Sequence, residues 1–306
     1  MTDTPRLHLG INTCFAVKRW PEPEQWLDIV KNELGLPCCQ FSLDLVDPMF
    51  DEAATAAYAE RVRAYAATNQ VLIHSTFTGL AAYSWSLLLH PDEQMRVAAM
   101  RWYERAIDFT VRLGASGMGG HLGAFSAQDA GNPTRKQVLI HDMLERLRFL
   151  SRYAADRGLQ FLLFENMAVT REWGHTIEEA QELISLTKDN RVPLVLCLDI
   201  GHPCALHTGT SSDDYLAWFT QTWTPTPIVH LQQTDTTGDH HWPFTQAYNA
   251  MGVVQAEKVV SAVRSWSPAS DVYLFLEPIH PFEAADATVL NELRQSVAYW
   301  QEALSR

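Results

Sequence analysis

This sequence predicts an α/β chain folded as one (β/α)8 barrel, a single domain over residues 1–306, and three observations carry the prediction. Eight short apolar runs recur at fairly regular intervals, helical patterns fill the spaces between them, and nearly every run ends on a polar residue. With 306 residues, 47% of them hydrophobic, the chain is long enough to bury the core that such a barrel needs.

The runs fall at 7–12, 38–44, 71–75, 117–121, 160–165, 194–199, 228–233 and 272–277, each a candidate buried strand. The stretch 92–113 has the amphipathic period and stops at Gly114, a residue suited to the left-handed end of a helix. The stretch 134–157 sets Leu144, Leu147, Leu150 and Ala154 on one stripe, and Gly158 then leads into the fifth run. No linker rich in Pro, Gly or Ser divides the chain. An open, doubly wound sheet is the alternative topology, disfavoured because no GxGxxG follows the first run. In a barrel the strand C-termini share one mouth, so Asn12, Gln40, His74, His121, Glu165, Asp199, His230 and Glu277 are expected there together. Alternation puts Phe161 and Leu163 on the side of Glu165, and Val195 and Cys197 on the side of Asp199, as packed layers beneath the site.

The formal charge of -13 opposes a nucleic-acid backbone or an anionic membrane as partner, since both need a concentrated positive face. The five cysteines are odd in number, lack CxxC spacing and lie mostly in apolar contexts, which reads as reduced thiols in a cytoplasmic protein. The N-terminus lacks the basic-then-apolar pattern of a secretory leader, and no run of apolar residues is long enough to span a bilayer.

The segment from Leu196 to His202 reads LCLDIGH and releases a carboxylate and an imidazole from the end of a buried strand. A divalent metal offsets the cost of that arrangement. Three more runs end the same way, on Glu165, His230 and Glu277, so Glu165, Asp199, His230 and Glu277 are the candidate metal ligands. Oxygen ligands with one imidazole suit Mn2+ foremost, or Mg2+ or Co2+, better than a structural zinc. The alternative is that each carboxylate pairs with a nearby Arg or Lys. His202 reads as the ligand of a second metal, as a substrate hydrogen-bond partner or as a solvated loop residue, its loop stiffened by Pro203, and His74 and His121 read as further substrate contacts or as histidines satisfied by the backbone. The segment from His230 to Phe244, HLQQTDTTGDHHWPF, is dense in polar and aromatic residues. Gln232 shares the face of His230 and reads as a substrate contact or a substitute ligand, while Asp239, His240 and His241 sit in a loop that fits a lid over a polar substrate, with Asp239 and His241 as substrate contacts. Trp20, Trp85 and Trp242 are candidates for apolar walls against sugar faces.

Together FEN at Glu165, LDIGH at Asp199 and His202, HLQQ at His230 and LEP at Glu277 resemble the xylose isomerase-like superfamily of TIM barrels, which includes sugar and sugar-phosphate isomerases and epimerases. The resemblance covers nearly the whole chain. It implies that Glu165, Asp199, His230 and Glu277 hold one divalent ion, that Glu165 and Glu277 flank the carbon exchanging a proton and act as acid and base, and that His202 touches substrate oxygens. The ending of the seventh run departs from the usual histidine followed by lysine and aspartate. It is similar to a branch acting on keto sugars and oxidised sugar acids, some of whose members eliminate or decarboxylate, and it leaves open whether Gln232 shares or replaces the role of His230. The implied chemistry is loss of a proton or carboxylate beside a ketone to give an enediolate, with isomerase, epimerase or lyase outcomes, in carbohydrate catabolism. No Gly-rich phosphate cradle stands out, which favours an unphosphorylated or carboxylated substrate. The same superfamily contains the apurinic-site endonuclease, and His74, His121, His202, Asp239 and His241 fall in the order of its extra zinc ligands; the acidic charge opposes that reading. A non-catalytic sugar-binding barrel is the other alternative, and a homo-oligomer is an expectation from relatives alone.

Overall fold

In the computed structural model, which describes residues 4–222, 224 and 227–306, parallel strands close into a barrel in chain order, β1 pairing with β8. The strands are β1 Arg6–Asn12, β2 Cys38–Ser42, β3 Leu72–Phe77, β4 Gly117–Gly120, β5 Phe161–Glu165, β6 Leu194–Asp199, β7 Ile228–Leu231 and β8 Asp271–Leu276. Each apolar run of the sequence supplies one of them, because a strand covered on both faces has nowhere to put a polar side chain until it reaches the rim.

Alternation then sorts the side chains. Cys38, Phe161, Leu163, Val195, Cys197, Ile228 and Phe275 fill the barrel interior with Tyr273 against them, as expected for Phe161, Leu163, Val195 and Cys197. The opposite faces of the strands pack on the surrounding helices. The helix Glu93–Leu113 buries Trp102, Ala106, Phe109 and Leu113, starts where the Asp92 carboxylate accepts from the Gln94 N–H, and stops at Gly114 with φ 79°. The helix Pro133–Asp156 begins on a proline, whose missing N–H would be unpaired there anyway, behind an Asn132 cap. Among the described residues no helix is long and apolar enough to cross a membrane.

The glycines of β4 have a steric cause. A Cβ on Gly117 would lie 2.1 Å from the Phe161 ring, and one on Gly119, at φ 153°, would lie 2.2 Å from the Leu163 carbonyl oxygen. The Phe161 ring and the Leu163 backbone of β5 thus fix what β4 can carry.

One expected strand end is corrected. β3 runs on to Phe77, and its pairing with β2 steps from Cys39 opposite Ile73 to Gln40 opposite Ser75, leaving His74 as an extra, bulged residue. Its ring packs against Phe161, Tyr273 and Phe275 and is pushed down to about 4 by burial. These partners precede Glu165 and Glu277 on their own strands by two to four positions, so His74 lies in the layer below the mouth and not at it.

Candidate metal centre

Four strand ends converge. Glu165 closes β5, Asp199 closes β6, His230 lies on β7 and Glu277 follows β8, and one ligand atom from each falls within 4.8 Å of the others. All are buried, with relative exposures of 5, 0, 0 and 4% respectively. His230 Nδ1 stands 2.7 Å from Glu165 Oε1 and 2.8 Å from Glu277 Oε2. Among the described residues, the ion-pair partners of Glu165 and Glu277 are histidines, not Arg or Lys as the alternative had it.

Glu165 Oε1, Asp199 Oδ2 and His230 Nδ1 are buried polar atoms with no hydrogen-bond partner. Orphans of that kind are costly, and three that belong to one cluster of carboxylates and imidazole fit a divalent cation. The neighbours fix the rest of each ligand. Gln40 Oε1 lies 2.6 Å from His230 Nε2, so that nitrogen carries the hydrogen and Nδ1 faces the carboxylates. Asn12 Nδ2 donates to Gln40 Oε1 at 3.0 Å and to Glu277 Oε1 at 2.9 Å. Asp199 Oδ1 accepts from the Gly201 and His202 N–H groups at 2.7 and 3.0 Å and from Gln232 Nε2 at 3.1 Å, which leaves Oδ2 for the cluster.

Burial raises the Glu165 carboxyl to about 7 against the opposing pull of His230, whereas for Glu277 the nearby His230, His241 and His202 outweigh burial and hold it below the usual range. Two carboxyl groups beside one imidazole are thus pushed in opposite directions.

A cavity of about 260 Å3 opens above, lined by Glu165, Glu277, His121, His202, Asp239 and His241 and walled by Phe77, Leu80, Tyr83, Met167 and Ile279. His202 Nδ1 is 2.6 Å from the Asn166 carbonyl oxygen, and its Nε2, unbonded, is 3.3 Å from Asp239 Oδ2. Asp239 Oδ2 also lies 3.4 Å from His241 Nε2. Burial opposes charge on these groups, yet the mutual attraction wins: His202 sits well above its ordinary value, His241 rises to about 10 and Asp239 sits well below. His121, its Nδ1 2.7 Å from the Thr78 hydroxyl and its Nε2 3.6 Å from Glu165 Oε2, is pushed by burial down to about 3 and so stays neutral.

Gln232 has a different place from either alternative. Its Nε2 donates to Asp199 and Asp239, and its Oε1 accepts the His241 N–H at 2.7 Å, so both ends of the amide tie the loop after β7 to Asp199. The loop itself is held by reciprocal Gln233 and Trp242 backbone hydrogen bonds of 2.9 Å. The expected tryptophan walls are also corrected. Trp85 is exposed, Trp20 packs on Phe15, and Trp242 stacks between His240 and Tyr248, none of them lining the cavity. Residues the sequence reading missed include Asp44, which caps the loop after β3 through the Leu80 and Ala81 N–H groups, and Glu172, buried and raised to about 8 by desolvation beside Glu165 and His202. Asp44 closes the run 38–44 but lies two residues beyond the end of β2, where Gln40 was taken as the mouth residue, and Glu172 lies in a loop that no run reaches.

Comparison with known proteins adds the lineage. A family model described as xylose isomerase-like TIM barrel matches residues 30–267. The chain belongs to that family. This xylose isomerase-like barrel is 27% identical over 298 residues to the D-erythrulose 1-phosphate 3-epimerase of Brucella abortus (strain 2308), covering 96% of this chain and 95% of that one. It superposes on a candidate xylose isomerase from Rhodospirillum rubrum ATCC 11170 with a TM-score of 0.91 at 30% identity, covering 97% and 99% of the two chains. The D-psicose 3-epimerase of Clostridium cellulolyticum H10, crystallised with D-tagatose, gives a TM-score of 0.71 at 13% identity over 97% and 99%, a likeness of fold.

Proposed function

We propose that the chain is a divalent-metal-dependent epimerase of keto sugars, inverting the hydroxyl-bearing carbon beside the ketone. Glu165, Asp199, His230 and Glu277 hold the ion, with Mn2+ foremost, and Glu165 and Glu277 are the acid and base. The observation that carries this reading is the pair of carboxyl groups on one imidazole nitrogen, with the unpartnered Asp199 Oδ2 in the same cluster. The erythrulose phosphate epimerase likeness over nearly all of the chain supports the choice of epimerisation over the lyase outcome.

A bound divalent ion supplies Lewis-acid polarisation of the ketone and neighbouring hydroxyl oxygens. The protein does the rest. One carboxylate removes the proton from the carbon, and the other, as the acid, returns a proton to the opposite face. Each carboxylate keeps one oxygen for the ion and the other for the proton. After each turnover the two have exchanged states, and solvent resets them. Protonated His202 and His241 offer donors to substrate oxygens, and Asp239 keeps both charged and in place. The cytoplasm remains the expected compartment.

The test is incubation of the Mn2+-loaded protein with ketoses, free and phosphorylated, in D2O, followed by NMR. Deuterium at the epimerised carbon with a second diastereomer is the expected result. Release of CO2 would assign a lyase instead, and full turnover in both Glu165→Gln and Glu277→Gln would end the proposal.

A further inference from the structure

Packing accounts for four of the five cysteines. Cys39 belongs to the apolar layer between strands and helices, and the thiols of Cys14, Cys38 and Cys204 meet backbone carbonyl oxygens at 3.6 to 3.8 Å. Cys197 differs. It lies on β6 two residues before Asp199, fully buried among the side chains that fill the barrel. Pairing of β5 with β6 sets it opposite Glu165, and pairing of β6 with β7 sets Asp199 opposite His230. The thiol interacts with the His230 ring, and one ligand atom each from Glu165, Cys197 and His230 falls within 4.8 Å of the others.

This trio shares Glu165 and His230 with the four-ligand group, but neither Asp199 nor Glu277 joins it. The two sets differ in chemistry as well as in place. Three carboxylates with an imidazole suit a hard ion such as Mn2+, whereas sulfur with an imidazole and one carboxylate suits Zn2+ or Cd2+. Three protein ligands with a fourth position left for water is an arrangement that zinc adopts readily. No separate passage is needed, because Glu165 lines the cavity and belongs to both sets.

We propose that Glu165, Cys197 and His230 form a second seat, selective for thiophilic divalent cations and exclusive of the Mn2+ seat above it. When Zn2+ or Cd2+ enters, a metal–sulfur bond replaces the S–H bond of Cys197 and the thiol proton passes to solvent. The ion keeps Glu165 and His230 and leaves Asp199 and Glu277 without it. Glu165 is one of the two proposed acid and base groups, so a chain holding zinc in this way is inactive. The proposal rests on the metal-dependent reading of the four-ligand group, and the sulfur ligand is what it adds.

The experiment titrates metal-free protein with Cd2+, following the ultraviolet cadmium–sulfur charge-transfer band, and with Zn2+ and Mn2+ by calorimetry. Wild type, Cys14→Ser, Cys197→Ala and Cys197→Val are compared, with melting curves to verify folding. In the wild type and in Cys14→Ser the band saturates at one Cd2+ per chain, and both Cys197 variants lack it. Losing a group that merely supports a ligand costs about 10- to 100-fold, so losing the sulfur itself weakens Zn2+ by about tenfold or more, while Mn2+ affinity stays within about threefold. Wild type offered Zn2+ and Mn2+ together holds one ion in total.

A band that survives in both Cys197 variants, no band in a wild type that binds Cd2+, or one ion of each kind held together would overturn the second seat and leave the Mn2+ centre standing. A sulfur band in protein that takes up no Mn2+ would sink the four-ligand reading and keep this one. Failure of all three ions to bind would end both.

Discussion

Gln40 Oε1 receives the Nε2 hydrogen of His230 at 2.6 Å across a barrel in which the two residues lie 190 positions apart. The consequence is a fixed tautomer: with Nε2 occupied, only Nδ1 remains to face Glu165 and Glu277. Partners of this kind typically shift metal affinity or activity by about 10- to 100-fold when removed. Gln40→Leu is therefore expected to weaken Mn2+ binding by about tenfold or more in a calorimetric titration, without unfolding the barrel. Unchanged affinity would mean that carboxylates alone orient the ring.

Metal uptake should release protons. Before an ion binds, burial raises Glu165 to about 7, and the Glu277 and Glu165 carboxylates, against burial, hold a proton on His230 well above the ordinary imidazole range. Ligands must be deprotonated, so affinity rises with pH through about 7 as Glu165 gives up its proton, and continues to rise while the ion displaces the proton of His230. Calorimetry at pH 7 in two buffers of different ionisation enthalpy measures this directly. Identical apparent enthalpies, meaning no proton released, would contradict the coupling of these groups to the ion.

The reading from sequence succeeded where a single physical rule acts alone. Continuous apolar runs are what strands buried on both faces must be, and polar endings are what a rim permits, so Glu165, Asp199, His230 and Glu277 were visible as strand ends. It failed where the outcome depends on pairing. The bulge that turns His74 into the interior is a property of β2 against β3, and a single strand does not record it. The commitments of Gln232 depend on where Asp239 and the His241 N–H arrive after the loop folds back. Cavity walls such as Phe77 and Tyr83 pack on His121, and Phe77 also on His230, contacts that only closure of the barrel brings about, whereas Trp85 meets Trp102 and Trp242 stacks between His240 and Tyr248.

The glycines of β4 give a stability prediction independent of function. At Gly119 the strained φ and the 2.2 Å approach to the Leu163 carbonyl act together, and backbone cannot yield as a flexible side chain does. Gly119→Ala should cost about 3 kcal/mol or more. Gly131, whose added Cβ would meet nothing closer than 3.7 Å, is the control, and Gly131→Ala should leave stability unchanged or raise it by up to ~1 kcal/mol. Denaturant melts of the two variants decide it; equal midpoints would remove the steric account of why β4 is glycine-rich.

Glu172 offers a test of what a buried carboxyl beside this site does to the fold. Desolvation raises it to about 8, with Glu165 adding to the shift and His202 and Arg171 opposing it. An unfolded chain gives up that proton near pH ~4.3, so between there and the folded value the native state holds a proton that the unfolded state has lost. Stability must then fall as pH rises through this window, because the slope follows the protons bound in the unfolded state minus those in the native state. Glu172→Gln keeps the shape and hydrogen-bonding capacity of the protonated acid and has nothing to titrate. The metal-free variant should therefore melt close to the wild type near pH 5 and above it by several degrees at pH 8, the gap opening steadily between. Parallel melting curves across that range would show that Glu172 is solvated enough to ionise normally, and would remove it from the groups that this site holds out of their ordinary state.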